Sequence, residues 1–404
     1  MKRSIEVADI FRAFGPDYQE RHGSEMPLRH LRVMRAIEVC RTAELGGHID
    51  QCDRCGQQRI SYNSCRNRHC PKCQSLEKER WLEDRKKDLL PISYFHLVFT
   101  LPEKLRPLAL RNQKVIYNLL FQAASETLTQ LAKDPKYLGA EIGFIALLHT
   151  WSQTLIDHPH VHGLVTGGGL SPDGQRWISS RPDFFIPVKV LSSLFRGKFL
   201  DGLKKVYEAG KLKFAGKIEV LKGGPAFKKF LTNLYQQKWV VYCKPPLKRA
   251  EQVIEYLGRY THRVALSNDR LVALDGSQVT FRWRDSADDD KIKLLTLEAF
   301  EFIRRFLLHV LPDRFVKIRH YGLLSNRGRK IKLQRCQKLL GVPTKEEQEE
   351  SPKETWQDLL TRLTGIDPRV CPFCGQGKMV EKEILPACAI STADRMAQYA
   401  GCPP

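Results

Sequence analysis

The chain has 404 residues, enough for two or three domains and a sizeable core. Lys and Arg number 66 against 45 Asp and Glu, a formal charge of +21, which calls for a polyanionic partner because cationic side chains displace counterions from phosphate backbones. No apolar run reaches transmembrane length and the start, Met1-Lys2-Arg3-Ser4-Ile5-Glu6, lacks the apolar stretch of a secretory signal, so the expectation is a soluble, cytoplasmic protein facing nucleic acid rather than membrane.

In chain order, residues 5–20 and 27–45 read as two helices, the second with Leu28, Leu31, Val33, Met34, Ile37 and Val39 at mostly helical spacing. A cysteine block follows. Cys52-x-x-Cys55 and Cys70-x-x-Cys73 are two knuckles that can set four thiolates around one Zn²⁺. In a reducing compartment such pairs read as metal ligands, not disulfides. Cys65 and His69 are spare, able to exchange with a knuckle ligand or to serve a second ion. Arg66 and Arg68 lie among them as phosphate-contacting cations. Residues 74–89 form a charged helix. Residues 1–90 are thus read as a zinc-binding, DNA-recognising domain.

Residues 91–335 read as a second domain. Tyr94 to Leu101 is a strand, 112–132 a helix, and Ile142 to Trp151 a largely buried strand. The next strand carries His158-Pro159-His160-Val161-His162, then Gly163-Leu164-Val165-Thr166 and Gly167-Gly168-Gly169. Alternate strand residues share a face, so His160 and His162 lean together while Val161 enters the core. Two neutral imidazoles at that spacing are half a shell for a divalent metal. The third ligand is His149 or Gln153, with hairpin register deciding between them. The glycines are expected to end the strand in a loop. Helices follow over 188–210 and 227–235, and a strand over 238–243. Arg249 to Tyr260 is an amphipathic helix in which Tyr256 and Tyr260 stand four apart, on one face. A phenol becomes a nucleophile once its proton leaves or a cation steadies the phenolate, and Arg259 and Arg263 are close in sequence. Short strands at 263–266, 271–274, 279–283 and 291–297 and a helix at 298–310 complete the segment. Strands and helices mix without strict alternation, which reads as α+β with a mainly antiparallel sheet. There is no phosphate-cradling glycine loop and hence no nucleotide cofactor or ATP motor.

Arg327 to Lys332 is a basic run, read as a phosphate-contacting tail or a solvated loop. Residues 336–404 read as a linker, acidic over 343–354, and a tail holding Cys371-Pro372-Phe373-Cys374-Gly375. That is half a knuckle for a second zinc, with Cys388 or Cys402 as completing ligands.

The histidine–hydrophobe–histidine strand with a Tyr-x-x-x-Tyr helix downstream resembles the HUH endonucleases of the two-tyrosine type. More narrowly, the cysteine block through Arg66-Asn67-Arg68-His69-Cys70-Pro71-Lys72-Cys73, the histidine strand, and Tyr256-Leu257-Gly258-Arg259-Tyr260 in that order resemble the rolling-circle insertion-sequence transposases of the IS-ninety-one-like family. The resemblance implies Mg²⁺ or Mn²⁺ on His160, His162 and a third ligand, and Tyr256 and Tyr260 as catalytic residues that cleave single-stranded transposon ends and target through 5′-phosphotyrosine links. It also implies host replication machinery as a partner. Rival readings are a replication initiator or relaxase with the same chemistry, a zinc-ribbon DNA-binding regulator without chemistry, and a hydrolase that uses metal-bound water.

Overall fold

A computed structural model describes residues 4–183, 185–260, 265–285, 287–342 and 354–388; for residues 74, 75, 250, 251, 257, 259 and 260 it describes the backbone alone. In chain order the elements are α1 (Val7–His22), α2 (Leu28–Glu38), β1 (Gly47–Cys52), β2 (Gln58–Tyr62), α3 (Gln74–Lys86) and β3 (Tyr94–Thr100). Then come α4 (Arg106–Arg111), α5 (Gln113–Lys133), β4 (Glu141–Trp151), β5 (Asp157–Leu170), β6 (Trp177–Ser179), α6 (Val188–Glu208), α7 (Gly224–Gln236), β7 (Val240–Cys243) and α8 (Ala250–Tyr260). The last are β8 (Leu271–Asp275), β9 (Gln278–Asp285), β10 (Lys291–Glu298), α9 (Ala299–Leu308), β11 (Ile318–Gly322), α10 (Arg329–Leu339), α11 (Trp356–Thr364) and β12 (Met379–Leu385). The class is α+β with antiparallel sheets, as the mixed pattern predicts. Among the described residues no helix is long and apolar enough to cross a membrane.

The chain forms two compact units that do not follow its order. The first draws on Met1–Glu79, His262–Arg304 and Glu349–Pro404, the second on Arg80–Thr261 and Arg305–Gln348. This corrects the division at residues 90 and 335. The physical reason is strand pairing: β12 runs antiparallel to β1, from Gly47↔Leu385 to Cys52↔Met379, so the C-terminal segment completes a three-stranded sheet β12-β1-β2 rather than trailing as a tail. The β8–β10 sheet also belongs to this unit. The Asn268 side chain accepts from the Val7 amide at 3.1 Å, and Phe300 meets Tyr18 edge-on at 5.6 Å. Helix α2 is shorter than its apolar pattern suggests. Arg41 adopts a left-handed backbone (φ 59°), and the Thr42 hydroxyl donates to the Val39 carbonyl at 2.9 Å. That turn leaves Cys40 fully buried just past the helix.

The second unit is a six-stranded sheet in the order β11-β4-β5-β3-β7, with β6 attached to β5. Period-two alternation gives it two faces. On one, Leu97, Phe99, Ala146, Leu148, Val161 and Val165 bury against α5 and α6 in the main core. On the other, Ile145, Leu147 and Leu164 pack with Leu82, Val253 and Tyr256, which puts α8 on that face. Gly167–Gly169 lie inside β5 and do not end it. A Cβ on Gly167 would stand 2.6 Å from the Ser93 carbonyl oxygen, and one on Gly169 2.2 Å from that of Glu141. The glycines are needed because backbone closes on both sides. The basic run after Arg327 is neither tail nor loop. It starts α10, which buries Leu333 and Cys336, while Arg329 pairs with Asp88 and Lys332 with Glu141.

Candidate active site and cysteine centres

Strand register assembles the histidines. His149 on β4 is paired directly with His160 on β5, so their side chains share a face, and His162 follows two residues on. The ligand nitrogens of His149, His160 and His162 lie within 4.8 Å of one another. Register favours His149, which it pairs with His160, over Gln153, which falls in the β4–β5 turn. The same face of β3 contributes His96, which composition had hidden in an aromatic strand. Its Nε2 is 3.0 Å from Nδ1 of His162, with ring centroids 5.3 Å apart. The only sign in the sequence was alternation: His96 sits between the core residues Phe95 and Leu97 and so faces away from the core.

The local electrostatics keep the rings of His160, His162 and His96 neutral. Burial lowers the His160 pKa to about 4, though the His158 carbonyl, which accepts from its Nδ1 at 2.6 Å, raises it. His162 is held well below the usual imidazole range, by burial first and then by His149, His160, His96 and the Lys244 ammonium. His96 falls to about 3 through burial, Lys244 and His160. Neutral imidazole is the form that binds metal. With Nδ1 of His160 and of His162 engaged, each ring would present Nε2 as its ligand atom. Three converging imidazole nitrogens fit a divalent cation with coordination positions left for substrate oxygen. His309 supports the turn from behind, with its two ring nitrogens at 3.3 Å from the Thr150 hydroxyl and 3.0 Å from the Leu155 carbonyl.

Helix α8 delivers the first tyrosine. The Gln252 side-chain oxygen accepts from the amides of Lys248 and Arg249 at 3.0 and 3.2 Å and so fixes its entry. Val253 and Tyr256, three apart, are its buried stripe. The Tyr256 ring lies 4.4 Å from that of His96, centroid to centroid. Tyr260 ends the helix one turn later. Its side chain, that of Arg259, and Arg263 as a whole lie outside the described residues.

The cysteines group differently from the pairing expected. Cys70 and Cys73 join Cys65 and Cys40, while Cys52 and Cys55 join Cys371 and Cys374. Both sets belong to the first unit. The expectation that neighbouring knuckles share an ion fails because β1 and β2 point the first knuckle toward β12, whereas the turn after α2 brings Cys40 to the second. Cys65 is a member of its set, not a spare, and His69 belongs to neither. Within the first set, Cys73 Sγ stands 3.4 Å from Cys40 and 3.6 Å from Cys65. Arg66, exposed, and Arg68, half-buried, lie on the Cys65–Cys70 loop. Cys388 is exposed and outside both sets, and Cys402 lies outside the described residues.

Residues 143–331 match the family model described as "Putative transposase", and residues 10–101 match "Transposase zinc-binding domain". The chain is 52% identical over 380 residues to "Putative transposase y4qJ" of Sinorhizobium fredii (strain NBRC 101917 / NGR234), covering 94% of this chain and 95% of that one. It is 27% identical over 366 residues to "Transposase for insertion sequence element IS801" of Pseudomonas savastanoi pv. phaseolicola, with 86% and 83% covered. A metal-free structure of the conjugative relaxase TrwC with oriT DNA aligns over 41% of this chain and 71% of its own, at 14% identity and a TM-score of 0.24, too distant to bear on the assignment. With a transposase as its relative across nearly its whole length and a zinc-binding domain of the matching type at its N-terminal end, this chain belongs to the IS-ninety-one-like family of insertion-sequence transposases.

Proposed function

We propose that the second unit is a metal-dependent tyrosine nuclease and strand transferase acting on single-stranded DNA at the element's ends and its target. The observation that carries this is the joining of the histidine group to Tyr256 through His96, all on one sheet face. His149, His160 and His162 would hold Mg²⁺ or Mn²⁺, which when bound polarises the scissile phosphate and orients it for in-line attack. The Tyr256 phenol loses its proton and its oxygen bonds to phosphorus. The bond from phosphorus to the 3′ oxygen breaks, and that oxygen leaves as a hydroxyl once protonated. The link formed is a 5′-phosphotyrosine, which conserves the phosphodiester energy for rejoining. Tyr260, one helical turn on, is the nucleophile for a second cleavage. Lys244 lies near enough to act on the charge of both His96 and His162 and is itself exposed, so it suits a backbone phosphate. Arg259 and Arg263 are assigned the same role on sequence position. One zinc on Cys40, Cys65, Cys70 and Cys73 would order the loop bearing Arg66 and Arg68 against DNA. A free 3′ hydroxyl is a primer for host replication, and the chain works in the cytoplasm at the nucleoid.

The test is a denaturing gel with the full chain, Mn²⁺ and a labelled single strand from the element's own end. Label should travel with the protein through heat and detergent and disappear with chelator. Tyr256→Phe with Tyr260→Phe should abolish both adduct and cleavage, and His160→Ala should abolish both through loss of metal. Cleavage by the double tyrosine variant at the wild-type rate would assign the chemistry to water instead.

A further inference from the structure

Two knuckles far apart in the chain form a second cysteine cluster, and half of its members, Cys371 and Cys374, lie outside the N-terminal zinc-binding match at residues 10–101. Cys52 and Cys55 close on Cys371 and Cys374, with all four sulfurs within 4.8 Å of one another. Cys52 Sγ is 3.8 Å from Cys374 Sγ, and Cys55 Sγ is 3.7 Å from Cys371 Sγ. A regular tetrahedron with zinc–sulfur bonds of about 2.3 Å has edges of about 3.8 Å. A disulfide would need about 2.05 Å. The spacing is that of a tetrathiolate centre.

Backbone shape supports the same conclusion. The two knuckles repeat one conformation. The Gly56 amide donates to the Cys52 carbonyl at 3.1 Å, as Gly375 does to Cys371 at 2.9 Å. Both glycines take a left-handed backbone, φ 73° and 67°, that other residues resist. Amides also point at sulfur: Arg54 and Cys55 toward Cys52 Sγ, each at 3.4 Å, and Gly377 toward Cys374 Sγ at 3.3 Å. Such donors favour thiolate over thiol. The halves are then laced together. The Asp53 amide donates to the Lys378 carbonyl at 3.0 Å, and the Lys378 amide to the Asp53 carboxylate at 2.8 Å. A Cβ at Gly377 would fall 2.3 Å from Cys52 Sγ, so only glycine lets the second knuckle approach.

We infer that Cys52, Cys55, Cys371 and Cys374 bind a structural zinc that clasps the C-terminal segment onto the N-terminal zinc-binding unit. Cys55 and Cys371 are 316 positions apart. Neither half holds more than two ligands, so a chain ending before Cys371 keeps the first knuckle but not the site. Because metal affinity is folding free energy in small thiolate centres, the ion joins what chain order separates. The inference is independent of the nuclease chemistry of the second unit.

The experiment titrates the purified full chain with an organomercurial, which releases only thiolate-bound zinc, and reads the metal with a chromogenic chelator. Wild type should release two zinc ions per chain, and Cys371→Ser with Cys374→Ser should release one. Cys388→Ser should still release two. Cys374→His covers the case in which the double variant fails to fold. It should retain two ions, and its cobalt-substituted spectrum should move from a tetrathiolate pattern toward three sulfurs and one nitrogen. One ion in the wild type, two in the double serine variant, one in Cys388→Ser, or an unchanged cobalt spectrum for Cys374→His would each overturn the assignment.

Discussion

Replacing His96 by Phe isolates what this unforeseen histidine does. The substitution keeps a flat ring against Tyr256 but removes the nitrogen 3.0 Å from His162 Nδ1. Both histidines are buried, at 2% and 6% exposure, so water cannot replace the lost partner cheaply. An unsatisfied buried polar group costs about 1–3 kcal/mol. The His162 ring also loses the contact that sets which nitrogen carries its proton. Outer-shell partners of this kind are worth about 10–100-fold in metal affinity, or about 1.4–2.7 kcal/mol. Mn²⁺ titration of the full chain, followed by the paramagnetic signal of the free ion, should show a loss in that range. His96→Gln should recover part of it, because its amide can again reach Nδ1. His160→Ala, which removes a ligand outright, is the reference for complete loss. A change below about threefold, about 0.65 kcal/mol, in His96→Phe would refute the positioning role.

Other predictions follow from the same sheet. Asp157 opens β5 almost wholly buried, with no hydrogen-bond partner at either carboxylate oxygen among the described residues, and burial lifts its pKa to about 7 against the opposing pull of Arg106. A raised carboxyl pKa means that the folded state binds the proton more tightly than the unfolded state. Its effect on stability is therefore absent near pH 4 and grows more adverse as pH rises through about 7. Asp157→Asn should match wild type in urea unfolding near pH 4 and exceed it by up to about 4 kcal/mol at pH 8; a difference flat in pH would contradict this. Gly169→Ala should destabilise by about 2–3 kcal/mol, since its methyl meets the Glu141 backbone and not a movable side chain. An unshifted urea midpoint would mean that the two strands separate more easily than their register implies.

Much of the site was legible because it is local. Alternation along one strand put His160 and His162 on one face, and helical spacing set Tyr256 and Tyr260 one turn apart. The ambiguity between His149 and Gln153 was one of register, which the hairpin resolved by pairing His149 with His160. His96 was not legible, because a histidine in an aromatic strand gains a role only when β3 is laid beside β5. The cysteine partners were not legible either. Sequence distance made Cys52–Cys55 and Cys70–Cys73 look like one site, while loop closure over long chain segments costs little more than over short ones. That is why the chain showed Cys371 and Cys374 as half a knuckle but gave no sign that Cys52 and Cys55, the latter 316 positions before Cys371, are its partners.

By itself, then, the sequence determined the strong positive charge, the α+β class, the ligand-type residues and the helix that carries Tyr256 and Tyr260, because charge, periodicity and residue chemistry are properties of short stretches. Only the tertiary structure decided which histidine groups with His160 and His162, which buried ring lies against His162, and which cysteines group together. Those depend on strand register and on the pairing of β12 with β1, and both are set by the packing of segments far apart in the chain.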